Sequence, residues 1–86
     1  MKKITLFILK NCPYCREALR CMDDLYQSDP RYRDIPIEII DEGKYPDIAN
    51  QYDYYYVPTY YVGETKAHEG AVNSKIVKRV FDEALI

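Results

Sequence analysis

Two short apolar runs, Ile4–Leu9 and Ile35–Asp41, bracket a stretch whose apolar residues recur at helical spacing, and this order constrains the fold more than any other feature. The first run is apolar at nearly every position and the second is rich in isoleucine, as expected of buried strands covered on both faces. Between them, Cys15, Ala18, Leu19, Met22, Leu25 and Tyr26 form one helical stripe that ends near Ser28-Asp29-Pro30. Two strands separated by a helix of this length are expected to lie parallel in one sheet.

The second half of the chain changes pattern. Pro46-Asp47 opens a short helix running to about Tyr52, with Ile48, Ala49 and Tyr52 on one side. Thr59–Val62, a Gly63-Glu64 turn and Thr65–Glu69 read as a hairpin. Asn73 or Ser74 then caps a final helix whose inner face carries Ile76, Val77, Val80, Phe81, Ala84 and Leu85. The expected class is α/β, a mixed four-stranded sheet flanked by three helices. At 86 residues, one domain spanning residues 1–86 is the expectation.

A formal net charge of −2 gives no electrostatic reason to expect nucleic acid or an anionic membrane as partner, so a soluble monomer is expected. Met1-Lys2-Lys3 followed by Ile4–Leu9 imitates a secretion signal. The apolar stretch, however, is shorter than the usual 7–15 residues or so and runs into Lys10-Asn11 without a small-residue cleavage site. The expected location is therefore cytoplasmic, where thiols are kept mostly reduced and a Cys-x-x-Cys pair is more often catalytic than structural.

Cys12-Pro13-Tyr14-Cys15 occupies the junction between the first strand and the first helix. Pro13 suits the first helical position, which makes Cys12 the N-cap and aims the amides of Tyr14 and Cys15 at its sulfur. Amides and helix dipole favour a thiolate, with Lys10 and Arg16 adding positive charge nearby. Cys12 is thus the expected nucleophile, and Cys15, one turn further in, the resolving thiol. Zinc is disfavoured, because Cys21 and His68 are the only other Cys or His and no second pair completes a tetrahedral ligand set. A structural disulfide closing so short a loop would constrain the unfolded chain little. Cys21 lies on the helical stripe as a small core residue, and His68 on an edge strand as a surface residue.

With Cys12-Pro13-Tyr14-Cys15 after the first strand and Val57-Pro58 before the third, the whole chain resembles the thioredoxin-fold superfamily. The resemblance implies strand order 2-1-3-4 and a cis Val57-Pro58 peptide facing Cys12, with the Val57 backbone pairing an extended substrate. It also implies a thiol-disulfide oxidoreductase, reducing disulfides in proteins or small molecules. Electrons would come from glutathione or from a flavoprotein thioredoxin reductase, with no tightly bound cofactor and no metal. Lys10, Pro13, Tyr14, Tyr56, Val57, Pro58, Gly70 and Ala71 are the implied substrate-contacting residues. Cys-Pro-Tyr-Cys looks like the dithiol glutaredoxin site. Gly70-Ala71-Val72-Asn73, by contrast, lacks the Gly-Gly pair and the carboxylate with which glutaredoxins grip glutathione, so weak glutathione use is expected. The buried carboxylate of ordinary thioredoxins has no counterpart, since Leu6 stands at that position. Two other classes are open: an iron–sulfur cluster carrier, and a non-catalytic docking module that uses the tyrosines at positions 52–61. At least one ring of Tyr54-Tyr55-Tyr56 is expected beside the site, although packing is the ordinary role of such rings.

Overall fold

A computed structural model describes residues 1–86. Its strands are β1 (Ile4–Ile8), β2 (Ile37–Asp41), β3 (Thr59–Val62) and β4 (Thr65–Glu69), and its helices α1 (Pro13–Ser28), α2 (Pro46–Ala49) and α3 (Ser74–Leu85). The sheet order is β2-β1-β3-β4. β1 runs parallel to β2 and antiparallel to β3, and β3 and β4 form the hairpin.

Strand alternation divides the side chains between two cores. Ile4 and Leu6 of β1 and Tyr60 and Val62 of β3 face one side, where α1 contributes Ala18, Cys21, Met22 and Leu25, and α3 contributes Val77, Val80, Phe81 and Ala84. Phe7 and Tyr61 face the other side, packing with Ile40 and with Ala49 of α2. Tyr52 and Tyr54 complete this smaller core, their ring centroids 4.7 and 4.8 Å from that of Phe7. No helix is long and apolar enough to cross a membrane.

Three expectations need correction. β2 is not a buried strand: it is the sheet edge, and only Ile40 in it is fully buried, while Ile39 is 45% exposed. Isoleucine density alone does not separate a central strand from an edge strand that has one covered face. The second run also begins its strand at Ile37 rather than Ile35. The preceding residues, Pro30–Asp34, form a 3-10 turn capped by Asp29 that places Tyr32 and Ile35 in the core. Finally, α2 stops at Ala49, short of Tyr52. The Tyr52 ring packs on Phe7 and Tyr61 instead of extending a helical stripe.

Candidate functional site

The parallel pairing of β1 with β2 and the antiparallel pairing with β3 bring three chain segments to one end of the sheet. These are the loop leaving Ile8, the loop leaving Asp41 and the segment entering Thr59, which pairs with Phe7. Asn11 takes a left-handed conformation, φ 64°, which turns the chain from strand to helix and which asparagine tolerates better than most residues.

Cys12 follows as the N-cap of α1 with extended backbone, and Pro13 is the first helical residue. The Cys15 amide donates to Cys12 Sγ at 3.2 Å, so one of the free N–H groups at the helix start is aimed at sulfur. Cys12 is half-buried and Cys15 is buried; all three cysteines are free thiols. Burial, reinforced by the hydrogen bond and charge of Cys12, pushes the Cys15 thiol up to about 12. The two sulfurs therefore differ in kind, one accessible with a donor pointed at it and the other protonated and enclosed.

The Val57-Pro58 peptide is cis. Pro58 is buried, and its carbonyl accepts from the Gly70 amide at 2.8 Å. Gly70 sits at φ 97°, a conformation open to glycine and strained for other residues. Val57 has no hydrogen-bond partner within the chain for either its N–H or its C=O. Tyr14 and Tyr56 are exposed, at 61% and 71%. Lys10 and Arg16 are exposed and make no ion pair, so nothing holds either charge on the Cys12 sulfur. His68 Nε2 lies 2.9 Å from the Ala71 carbonyl and so steadies the turn after Gly70. Cys21 is enclosed between α1 and α3, where Ser74 Oγ lies 3.8 Å from its sulfur. No group of three or more His, Cys, Asp or Glu side chains is arranged to hold a metal ion.

One residue at this end of the sheet escaped the sequence reading. Glu69 Oε2 accepts from the backbone amides of Tyr55 at 2.5 Å and Tyr56 at 2.9 Å, while Oε1 takes Lys66 Nζ at 2.8 Å. The carboxylate thus fixes the segment that leads into Val57. Its placement depends on a register shift in the hairpin between Tyr60 and Tyr61, which sets Glu69 opposite Thr59. A bulge alters which face each later residue occupies, and nothing in the composition of Thr65–Glu69 announces it.

Lys66 and the two amides hold the Glu69 carboxyl down at about 2, against an ordinary value of 4.5. A depressed carboxylate contributes stability that is present above the ordinary value and lost as pH falls through the folded one. Glu69→Gln is therefore expected to lower stability at neutral pH, with the deficit shrinking between pH 4.5 and about 2. Urea unfolding across that window checks this, and a deficit independent of pH would contradict it.

No family model and no curated protein matches the sequence. A solved structure described as that of a malarial protein superposes with a TM-score of 0.71, covering 98% of this chain and 97% of its own, at 20% identity. The likeness concerns the backbone arrangement.

Proposed function

We propose that this chain is a dithiol-disulfide oxidoreductase of the thioredoxin fold, akin to small glutaredoxin- and thioredoxin-like reductases. The observation that carries the reading is the pairing of an N-cap thiol that accepts the Cys15 amide with a buried, protonated second thiol one turn away.

Cys12 as thiolate attacks one sulfur of a substrate disulfide, forming a mixed disulfide and expelling the other substrate sulfur as a thiolate, which takes a proton from water. Once Cys12 is bonded to substrate, its charge and its hydrogen bond no longer oppose ionisation of Cys15, which leaves burial as the main obstacle. Cys15 then loses its proton to solvent and attacks Cys12 Sγ, which releases the second substrate thiolate and leaves a Cys12–Cys15 disulfide. Two electrons pass from the dithiol to the substrate, and an external thiol or a flavoprotein reductase returns them. Keeping Cys15 protonated until the first step is complete prevents it from competing for the incoming disulfide.

The free N–H and C=O of Val57 support an extended substrate segment lying beside the thiols, with Tyr14, Tyr56 and Ala71 around it. The Asn73 side chain accepts from the Ile76 amide at 2.9 Å as the cap of α3. It is thus engaged in holding the helix, which favours a dithiol or flavoprotein donor over glutathione. A reducing compartment such as the cytoplasm suits this chemistry.

The test is a trap. Cys15→Ser is expected to accumulate a mixed disulfide at Cys12 when offered a protein disulfide, visible as a mass increase equal to the substrate and reversed by dithiothreitol. Absence of the adduct, or an adduct at Cys21, would overturn the reading.

A further inference from the structure

Between α2 and the Tyr52–Tyr55 segment lies a cavity of about 250 Å³ lined by Glu42, Pro46, Ala49, Asn50, Tyr52, Tyr54 and Tyr55. Glu42 is its charged member, half-buried and directly after β2, with its amide bonded to the Ile8 carbonyl at 3.0 Å. The Tyr54 hydroxyl donates to Glu42 Oε1 at 2.9 Å, but no lysine, arginine or histidine pairs with the carboxylate. Its charge is oriented by a neutral donor and left unneutralised. Residues 41–53 add Asp41, Asp47 and Asp53 to Glu42, against Lys44 alone.

An oriented carboxylate among aromatic rings is the chemistry that receives an ammonium or guanidinium: the anion supplies the charge and the tyrosines supply cation–π and apolar contact. Two links run from the cavity toward the candidate thiol site: the Glu42 amide donates to the carbonyl of Ile8, the last residue of the strand that leads to Cys12, and Tyr55 stands two residues before Val57, whose backbone is free.

We propose that this cavity is a subsite for a cationic side chain, lysine or arginine, carried by the disulfide-bearing polypeptide near its cysteine. The proposal rests on the oxidoreductase reading for its biological use, whereas the binding itself does not.

The first experiment reads binding alone. Arginine amide titrated into the reduced wild-type protein is expected to shift the backbone NMR signals of Ala49, Asn50 and Tyr55. The shift should be lost in Glu42→Gln, which retains an oxygen for the Tyr54 hydroxyl, and weakened by added salt. The second compares two disulfide peptides that differ only in lysine against norleucine within three residues of the cysteine. The wild type is expected to favour lysine in kcat/KM by about fivefold, equivalent to ~1 kcal/mol, and Glu42→Gln to show no preference. Shifts without a lysine preference would mean that the cavity takes free cations but not substrate side chains, overturning the substrate assignment. Absence of shifts in the wild type would overturn the subsite, and shifts without turnover of either peptide would overturn the oxidoreductase reading while leaving the cation site.

Discussion

Replacing Cys12 by serine is expected to slow alkylation of the native protein by iodoacetamide at pH 7 by at least about tenfold and, on the proposed mechanism, to end disulfide turnover. The magnitude follows from the sulfurs that remain. In the wild type, burial first and the hydrogen bond and charge of Cys12 second hold the Cys15 thiol up at about 12; in the variant burial still opposes its ionisation, so its thiolate stays scarcer than that of an ordinary cysteine. Cys15 and Cys21 are each only 2% exposed, so access compounds the deficit. In the wild type, one thiol per molecule should react quickly, and peptide mapping should place the label on Cys12. The residual reaction of the variant should rise steadily with pH above neutrality if it comes from Cys15, whose ionisation burial still opposes. Rapid labelling of Cys15 or Cys21 in the folded wild type would contradict this picture.

Much of this site is legible in the sequence because it is built by local rules. A proline at the first helical position and a side-chain acceptor just before it specify the start of α1 within a residue, and the Cys12 N-cap follows from that alone. The order of elements is equally local, since short apolar runs and period-3.6 stripes are punctuated by Pro13, Pro46 and Gly63. What sequence does not disclose are the long-range consequences. Tyr54, Tyr55 and Tyr56 are identical residues in a row, yet Tyr54 stacks on Phe7 and bonds Glu42, while Tyr55 is 87% exposed. Their difference is fixed by Glu69 and Glu42, which reach this segment from β4 and from the end of β2. Neither carboxylate bears a motif. Each becomes visible only when the sheet order and the hairpin bulge are known.

The same distinction between buried and exposed rings sets the largest stability effect. Phe81→Ala is expected to destabilise the protein by about 3–5 kcal/mol, whereas Tyr55→Ala should cost less than ~0.5 kcal/mol. Phe81 is fully buried in the larger core, edge-on to Tyr26 at 5.8 Å and to Tyr32 at 6.2 Å between ring centroids. These partners come from α1 and from the turn before β2, so the ring ties α3 to both. Their backbones are held by helix and turn hydrogen bonds and cannot collapse into the space left by a benzyl group, so a cavity penalty adds to the lost burial. A chain of this length has a total stability of about 4–13 kcal/mol, so the substitution consumes a large share of it. The melting temperature should fall by more than ~15 °C, read by circular dichroism alongside urea unfolding. A cost below ~1 kcal/mol would mean that α3 can repack around the loss, and that the two-helix layer is looser than the contacts of Phe81 with Tyr26 and Tyr32 require.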